Sequence, residues 1–256
     1  MFSRRIAAKL LREHAQDTVR RGEDQHTFYA LKNVSFNVGK AEGIQIVGAN
    51  GAGKTTLLGL VIGVTKPDRG SIVARGKIGA LLELGSGFHP DLTGRENLVL
   101  NAALIGFDKS RVRECTPKII DFSELGDVID EPLRTYSAGM IMRLAFAIAV
   151  SFEPDLLIVD EVLNVGDSAF QHKCFKAILR LRKRGMSLLC VSHGSGPAEE
   201  LCSRAIWLHE GEVIFDGEYS DTLNRYRHYM HNRDPLLLPR EGLDKVFARP
   251  RRSAQK

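Results

Sequence analysis

The stretch Gly48-Ala49-Asn50-Gly51-Ala52-Gly53-Lys54-Thr55 restricts the fold of this chain more than any other. It fits G-x-x-x-x-G-K-[ST], with an apolar run over 44–47 before it and a helical pattern over about 54–64 after it. Glycines at Gly48, Gly51 and Gly53 let the backbone turn its N–H groups around phosphate oxygens, where side chains would obstruct. The following helix adds the positive end of its dipole. Lys54 is suited to the β- and γ-phosphates and the Thr55 hydroxyl to Mg2+, with Thr56 beside it. A glycine-rich turn without chemistry is the plainer reading, and a lysine followed by two threonines at the helix start argues against it. Gly48 through Thr56 are therefore assigned to a nucleotide.

The run Leu156-Leu157-Ile158-Val159-Asp160-Glu161 is an apolar strand ending in two carboxylates. Such a strand brings both acids to the sheet edge that carries the phosphate loop, pointing differently because side chains alternate. Asp160 is suited to hold Mg2+ through water, and Glu161 to polarise an attacking water as general base. Adjacent acids at a strand end are common by themselves. The phosphate loop is what gives this pair its meaning.

Leu31, Val34, Phe36 and Val38 suggest another strand, as do the buried-looking run 188–191 and a terminal hairpin turning at Glu210-Gly211. Strands alternating with helices, then a helical insertion, predict an α/β fold: a mostly parallel sheet core with antiparallel strands and an inserted helical subdomain. The expected organisation is a basic helix over 1–24, a nucleotide-binding domain over 25–230 with its helical part over about 88–150, and a basic tail over 231–256. Ile6, Leu10 and Leu11 lie on one side of the first helix, which either packs on the domain or rests on a membrane surface.

The formal net charge of +5 raises the question of nucleic acid, and its distribution answers it. Residues 1–24 carry +2 and residues 231–256 carry +4, leaving −1 for everything between. No nucleic acid partner is expected from a near-neutral core. The four cysteines, Cys115, Cys174, Cys190 and Cys202, form no CxxC pair and read as reduced thiols in a cytosolic protein. No apolar run approaches the roughly 18–20 residues that span a bilayer, so a membrane role requires a partner.

Between the phosphate loop and Asp160 lies Tyr136-Ser137-Ala138-Gly139-Met140, opening an apolar helix 23 positions before Asp160. This resembles the Leu-Ser-Gly-Gly-Gln signature of the ABC (ATP-binding cassette) proteins. His193, after the strand at 188–191, is similar to that family's switch histidine, and Asn164-Val165-Gly166-Asp167 to the loop that crosses its dimer. The resemblance covers about 28–225. Within the family, the run from Leu81-Leu82-Glu83-Leu84-Gly85 through Arg95-Glu96-Asn97, with 136–146 and 160–174, resembles exporters of O-antigen, capsule and teichoic acid.

That resemblance implies a P-loop ATPase of ABC type that uses ATP and Mg2+. It implies head-to-tail pairing with a second copy, so that Ser137 and Gly139 meet the partner's nucleotide, and an integral membrane permease subunit as partner, with this chain peripheral on the cytoplasmic face of the inner membrane. Glu83 stands where many ABC motors have glutamine, and would contact Mg2+ or water. Ala138 replaces a signature glycine. The aromatic that stacks on adenine is Tyr29 or Phe28, with ordinary strand packing as the alternative. Many such exporters end in a carbohydrate-binding domain; this chain is expected to be a version without one. The alternatives are a soluble ABC ATPase acting on nucleic acid or ribosomes, and a subunit that binds ATP without hydrolysis.

Overall fold

The computed structural model describes residues 6–8, 29–81, 87–160, 167–191 and 198–232. Six strands form the central sheet: β3 (Gly43–Val47), β4 (Ile78–Leu81), β5 (Leu156–Asp160), β6 (Ser187–Val191), β7 (Arg204–His209) and β8 (Glu212–Glu218). Their order is β4-β5-β6-β3-β7-β8, parallel throughout except for β8, which runs antiparallel to β7. The expected α/β sheet, mostly parallel with an antiparallel strand, is what forms.

Burial on both faces explains why the inner strands are almost wholly apolar. Ile44, Ile46, Leu156, Ile158, Leu189 and Val191 point to one side and pack with Leu57, Leu58 and Val61 of α1 (Lys54–Ile62). Leu157, Val159, Leu188, Cys190 and Trp207 point to the other. There they meet α4 (Ala138–Ser151), α5 (Ser168–Lys183) and α7 (Tyr219–Asn232). α6 (Ala198–Leu201) is a single turn before β7.

The helical lobe has its own core, built from α2 (Gly94–Leu104), α3 (Lys109–Ser123) and the inner side of α4. α4 belongs to both cores: Phe146 and Val150 pack on the sheet, while Leu144, Ala147 and Ile148 pack in the lobe. A helix apolar on two sides is buried on two sides. α4 is the beam that fixes the lobe to the sheet.

Residues 6–8 depart from expectation. They form β1 (Ile6–Ala8), paired antiparallel with β2 (Phe36–Val38), in place of the basic helix expected over 1–24. The apolar stripe there is too weak to hold a helix, whereas the edge of β2 offers unpaired backbone groups. The rest of that expected helix lies outside the described residues; of the tail expected over 231–256, residues 231–232 end α7 instead and the remainder lies outside the described residues.

All four cysteines are buried, and burial pushes the Cys174 thiol up to about 12 and raises that of Cys202 as well. At neutral pH a thiol reagent should label none of the four in the native protein and all four after denaturation, because only thiolates react. Fast native labelling, read by mass spectrometry, would contradict this packing.

Candidate nucleotide-binding site

Strand register brings the phosphate loop and Asp160 to one edge of the sheet. Ile46 of β3 pairs with Val191 of β6, and Val191 pairs with Asp160 of β5. Leu81 of β4 pairs with Val159 on the far side of β5. The phosphate loop after Val47, Asp160 at the end of β5, and the segments entered after Val191 and Leu81 therefore leave the same edge. Neighbouring strands are about 4.8 Å apart, so Asp160 sits roughly 10 Å from the line of β3. Asp160 is described through its backbone alone. Glu161, His193 and Glu83 lie outside the described residues.

The loop itself has the conformation that its glycines were expected to permit. Gly51 and Gly53 adopt φ of 80° and 100°, in the left-handed region, and Gly53 caps α1. A Cβ on Gly48 would lie 2.3 Å from the Leu208 carbonyl oxygen, and one on Gly53 would lie 2.6 Å from that of Ala30. At Gly51 a Cβ would meet nothing within 4 Å, so that glycine serves backbone shape and keeps the mouth of the loop open. Lys54 turns inward: its Nζ donates to the carbonyls of Gly48 at 2.7 Å and Ala49 at 3.0 Å. Ala52 is buried, whereas Asn50, Thr55 and Thr56 are exposed.

The turn between β7 and β8 supports the loop from beneath. Gly211 N–H donates to the Ala52 carbonyl at 3.1 Å, and the Gly211 carbonyl accepts from Lys32 N–H at 2.7 Å. This brace was not foreseen, although the Glu210-Gly211 turn that supplies it was. It also draws the 30–32 segment against the loop, which leaves Tyr29 nearby and 55% exposed. At that exposure Tyr29 is not packed within a strand core. Phe28 lies outside the described residues.

Ser137 is the N-cap of α4. Its Oγ accepts from Met140 N–H at 3.2 Å, and its own N–H donates to Met140 Sδ at 3.4 Å. Ser137 and Ala138 are exposed and Gly139 is half-buried. Behind them Tyr136 is buried, its hydroxyl donating to the Val128 carbonyl at 2.5 Å. Gly94 packs beneath that hydroxyl, where a Cβ would come within 2.4 Å. Asn97 is fully buried; its Nδ2 donates to the carbonyls of His89, Leu92 and Thr93, each at 3.0 Å. Within the run that carries the exporter resemblance, Gly94 thus packs against the residue before the signature serine, and Asn97 holds together the turn at 89–93.

The donor set suits Mg2+. Thr55 and Asp160 offer hard oxygens, and Mg2+ is ordinarily held by one or two such groups plus substrate phosphates.

A family model described as ABC transporter matches residues 31–164. The O-antigen export system ATP-binding protein RfbB of Klebsiella pneumoniae is 47% identical over 203 residues, 79% of this chain and 82% of that protein. The teichoic acids export ATP-binding protein TagH of Bacillus cereus is 41% identical over 215 residues, 84% of this chain but 39% of the relative. A solved ATP binding subunit of an ABC transporter superposes with a TM-score of 0.69 at 25% identity, covering 77% of this chain and 87% of that one.

Proposed function

Because this chain belongs to the ABC transporter family, its chemistry is ATP hydrolysis, and we propose that it is the motor subunit of an exporter moving a lipid-linked cell-surface polysaccharide, such as O-antigen or capsule, across the inner membrane. The observation that carries this reading is the match to the O-antigen export protein across most of both chains.

The residues divide the work as follows. Lys54 and the backbone of Gly48 to Thr56 hold the phosphates, and Tyr29 stacks on the adenine. Thr55 and Asp160 would hold Mg2+, with Glu83 contacting the ion or its water; when bound, the ion would supply neutralisation of phosphate charge. Water attacks the γ-phosphorus as the bond to the bridging oxygen breaks. Glu161 takes the proton that water loses, and ADP and inorganic phosphate leave. His193 contacts the γ-phosphate. Two copies pair head to tail, each offering Ser137 and Gly139 to the other's nucleotide, and closure therefore needs two ATP molecules. The free-energy difference between closed and open pairs drives an integral membrane permease subunit, with this chain peripheral on the cytoplasmic face.

No helix among the described residues is long and apolar enough to cross a membrane. The outer side of the helical lobe supports docking to a partner. Leu98 and Ala102 bury the inner side of α2, yet Val99, Leu100, Leu104 and Ile105 on and beside its outer side are exposed, Leu104 at 70%. An apolar ridge of this kind ordinarily meets another protein.

Tagged protein drawn from gently solubilised native membranes should bring a multi-helix membrane protein in stoichiometric amount. Recovery with RNA or ribosomes instead would overturn the transport reading. In the same experiment Leu104→Asp should lower recovery of the permease roughly tenfold. Its melting temperature and nucleotide affinity should match wild type, since Leu104 supports neither core.

A further inference from the structure

At the edge of the sheet opposite the phosphate loop, the segments that enter β3, β4, β5 and β6 line a cleft of about 340 Å3. Hydrogen bonds stitch these segments together. Ser187 Oγ donates to the Gly39 carbonyl at 2.8 Å and Ser187 N–H to the Asp155 carbonyl at 2.9 Å. Lys77 N–H donates to Asp155 Oδ2 at 2.9 Å. Three of the four segments each give the lining one cation: Lys40 before β3, Arg75 before β4 and Arg184 before β6.

The two acids of the lining are engaged in its walls. Glu153 pairs with Arg184 at 2.6 Å. Asp155 accepts from the Lys77 amide and lies under Gly76, where a Cβ would come within 2.5 Å of its Oδ2. Lys40 and Arg75, by contrast, engage no acid among the described residues. The Lys40 stem lies along Gly185, whose φ is 100°; a Cβ there would meet Lys40 Cε at 3.3 Å. Arg184 caps the C-terminal end of α5, so the helix dipole already accounts for a cation at that position. That account does not reach Lys40 or Arg75, which belong to no helix. Average charge does not supply it either, because residues 25–230 sum to −1.

Convergent polar groups in a preformed cleft mark a ligand site, and such pockets measure about 300–1,000 Å3. Cations arriving from three directions suit a tetrahedral oxyanion better than a planar carboxylate, and arginine suits phosphate in particular. The volume leaves room for a body beyond one phosphate group. The lining contains no aromatic ring on which a base could stack. We propose that this cleft is a second anion site, which takes the phosphate of a small, non-aromatic phosphate monoester on Lys40, Arg75 and Arg184. β3 separates it from the phosphate loop by five residues, roughly 16 Å, so the ligand binds without competing with ATP. The roles given to the nucleotide edge are not needed for this assignment.

The test follows backbone amide resonances of the full chain during titration with inorganic phosphate, glycerol 3-phosphate or AMP, against sodium chloride at matched ionic strength. Lys40→Ala, Arg75→Ala and Lys54→Ala are titrated alongside. Amides of Gly39, Lys40, Gly185 and Ser187 should shift and saturate in the millimolar range with inorganic phosphate. Glycerol 3-phosphate should bind at least as tightly, and AMP no more tightly than inorganic phosphate. Lys54→Ala should retain these shifts. Lys40→Ala and Arg75→Ala should each weaken binding about tenfold, the loss expected for one charged hydrogen bond. Both side chains are exposed and unpaired, so melting temperature and affinity for a fluorescent ATP analogue should stay at wild-type values. Shifts confined to the phosphate loop and lost in Lys54→Ala would overturn the proposal. So would shifts that sodium chloride reproduces, or that both cleft variants leave unchanged. AMP binding at 39–40 and 185–187 more tightly than glycerol 3-phosphate would overturn the ligand class.

Discussion

Glu161→Gln should abolish steady ATP turnover while leaving nucleotide binding intact. The residue directly follows Asp160, whose Cα is in register with Val191 of β6, the strand that lies between β5 and the β3 strand feeding the phosphate loop. A carboxylate there can take a proton from water; an amide of the same shape cannot. Loss of a positioned general base lowers rates by about 10² to 10⁴. Because the amide also removes the negative charge proposed to act beside the γ-phosphate, the ATP-bound pair should accumulate rather than turn over. Size-exclusion chromatography with ATP and Mg2+ should show a stable dimer that wild type forms only transiently. Phosphate release at the wild-type rate would exclude Glu161 as the base.

Lys54→Ala should fail earlier, at binding. Lys54 is the only residue of the loop with a positive charge, and its Nζ already spans the Gly48 and Ala49 carbonyls. Alanine removes both the cation for the phosphates and the strut across the loop. Losing one preorganised donor to a transferring phosphoryl group lowers kcat by about 10² to 10³, and weaker ATP binding adds to that loss. Fluorescent nucleotide binding should weaken and no ATP-dependent dimer should form. The two variants thus separate: one binds and stalls, the other scarcely binds. Wild-type affinity in Lys54→Ala would mean that the nucleotide sits elsewhere.

What could be read from the sequence was local. The loop was legible because glycine spacing, an apolar run and a helix start lie within about twenty residues. The β7–β8 hairpin was legible because its turn needs two left-handed residues, and Glu210-Gly211 supplies them at φ 46° and 80°. Sheet order was not legible: β3 pairs with β6 and β7, which lie far along the chain, and no short pattern records such partners. α7 escaped notice because Tyr219, Tyr226 and Tyr229, three of its buried residues, alternate with charged neighbours and blur the apolar period. Gly211 as a brace was invisible for the same reason, since it acts on residues remote in sequence. Asn97 belongs to the run that carries the family likeness, but only its burial and its bonds show it to be a hydrogen-bonding hub.

The strand order has a consequence for how the protein is made. β3 leaves the ribosome early, yet both strands beside it and the turn beneath its loop come far later, at Ser187–Val191, Arg204–His209 and Gly211. Until then the nascent chain carries a central strand with two open edges, a template for wrong pairing. The helical lobe emerges meanwhile and must fold without ATP, because the nucleotide has no finished loop to enter. ATP can therefore stabilise only complete chains, and truncated ones gain nothing from it.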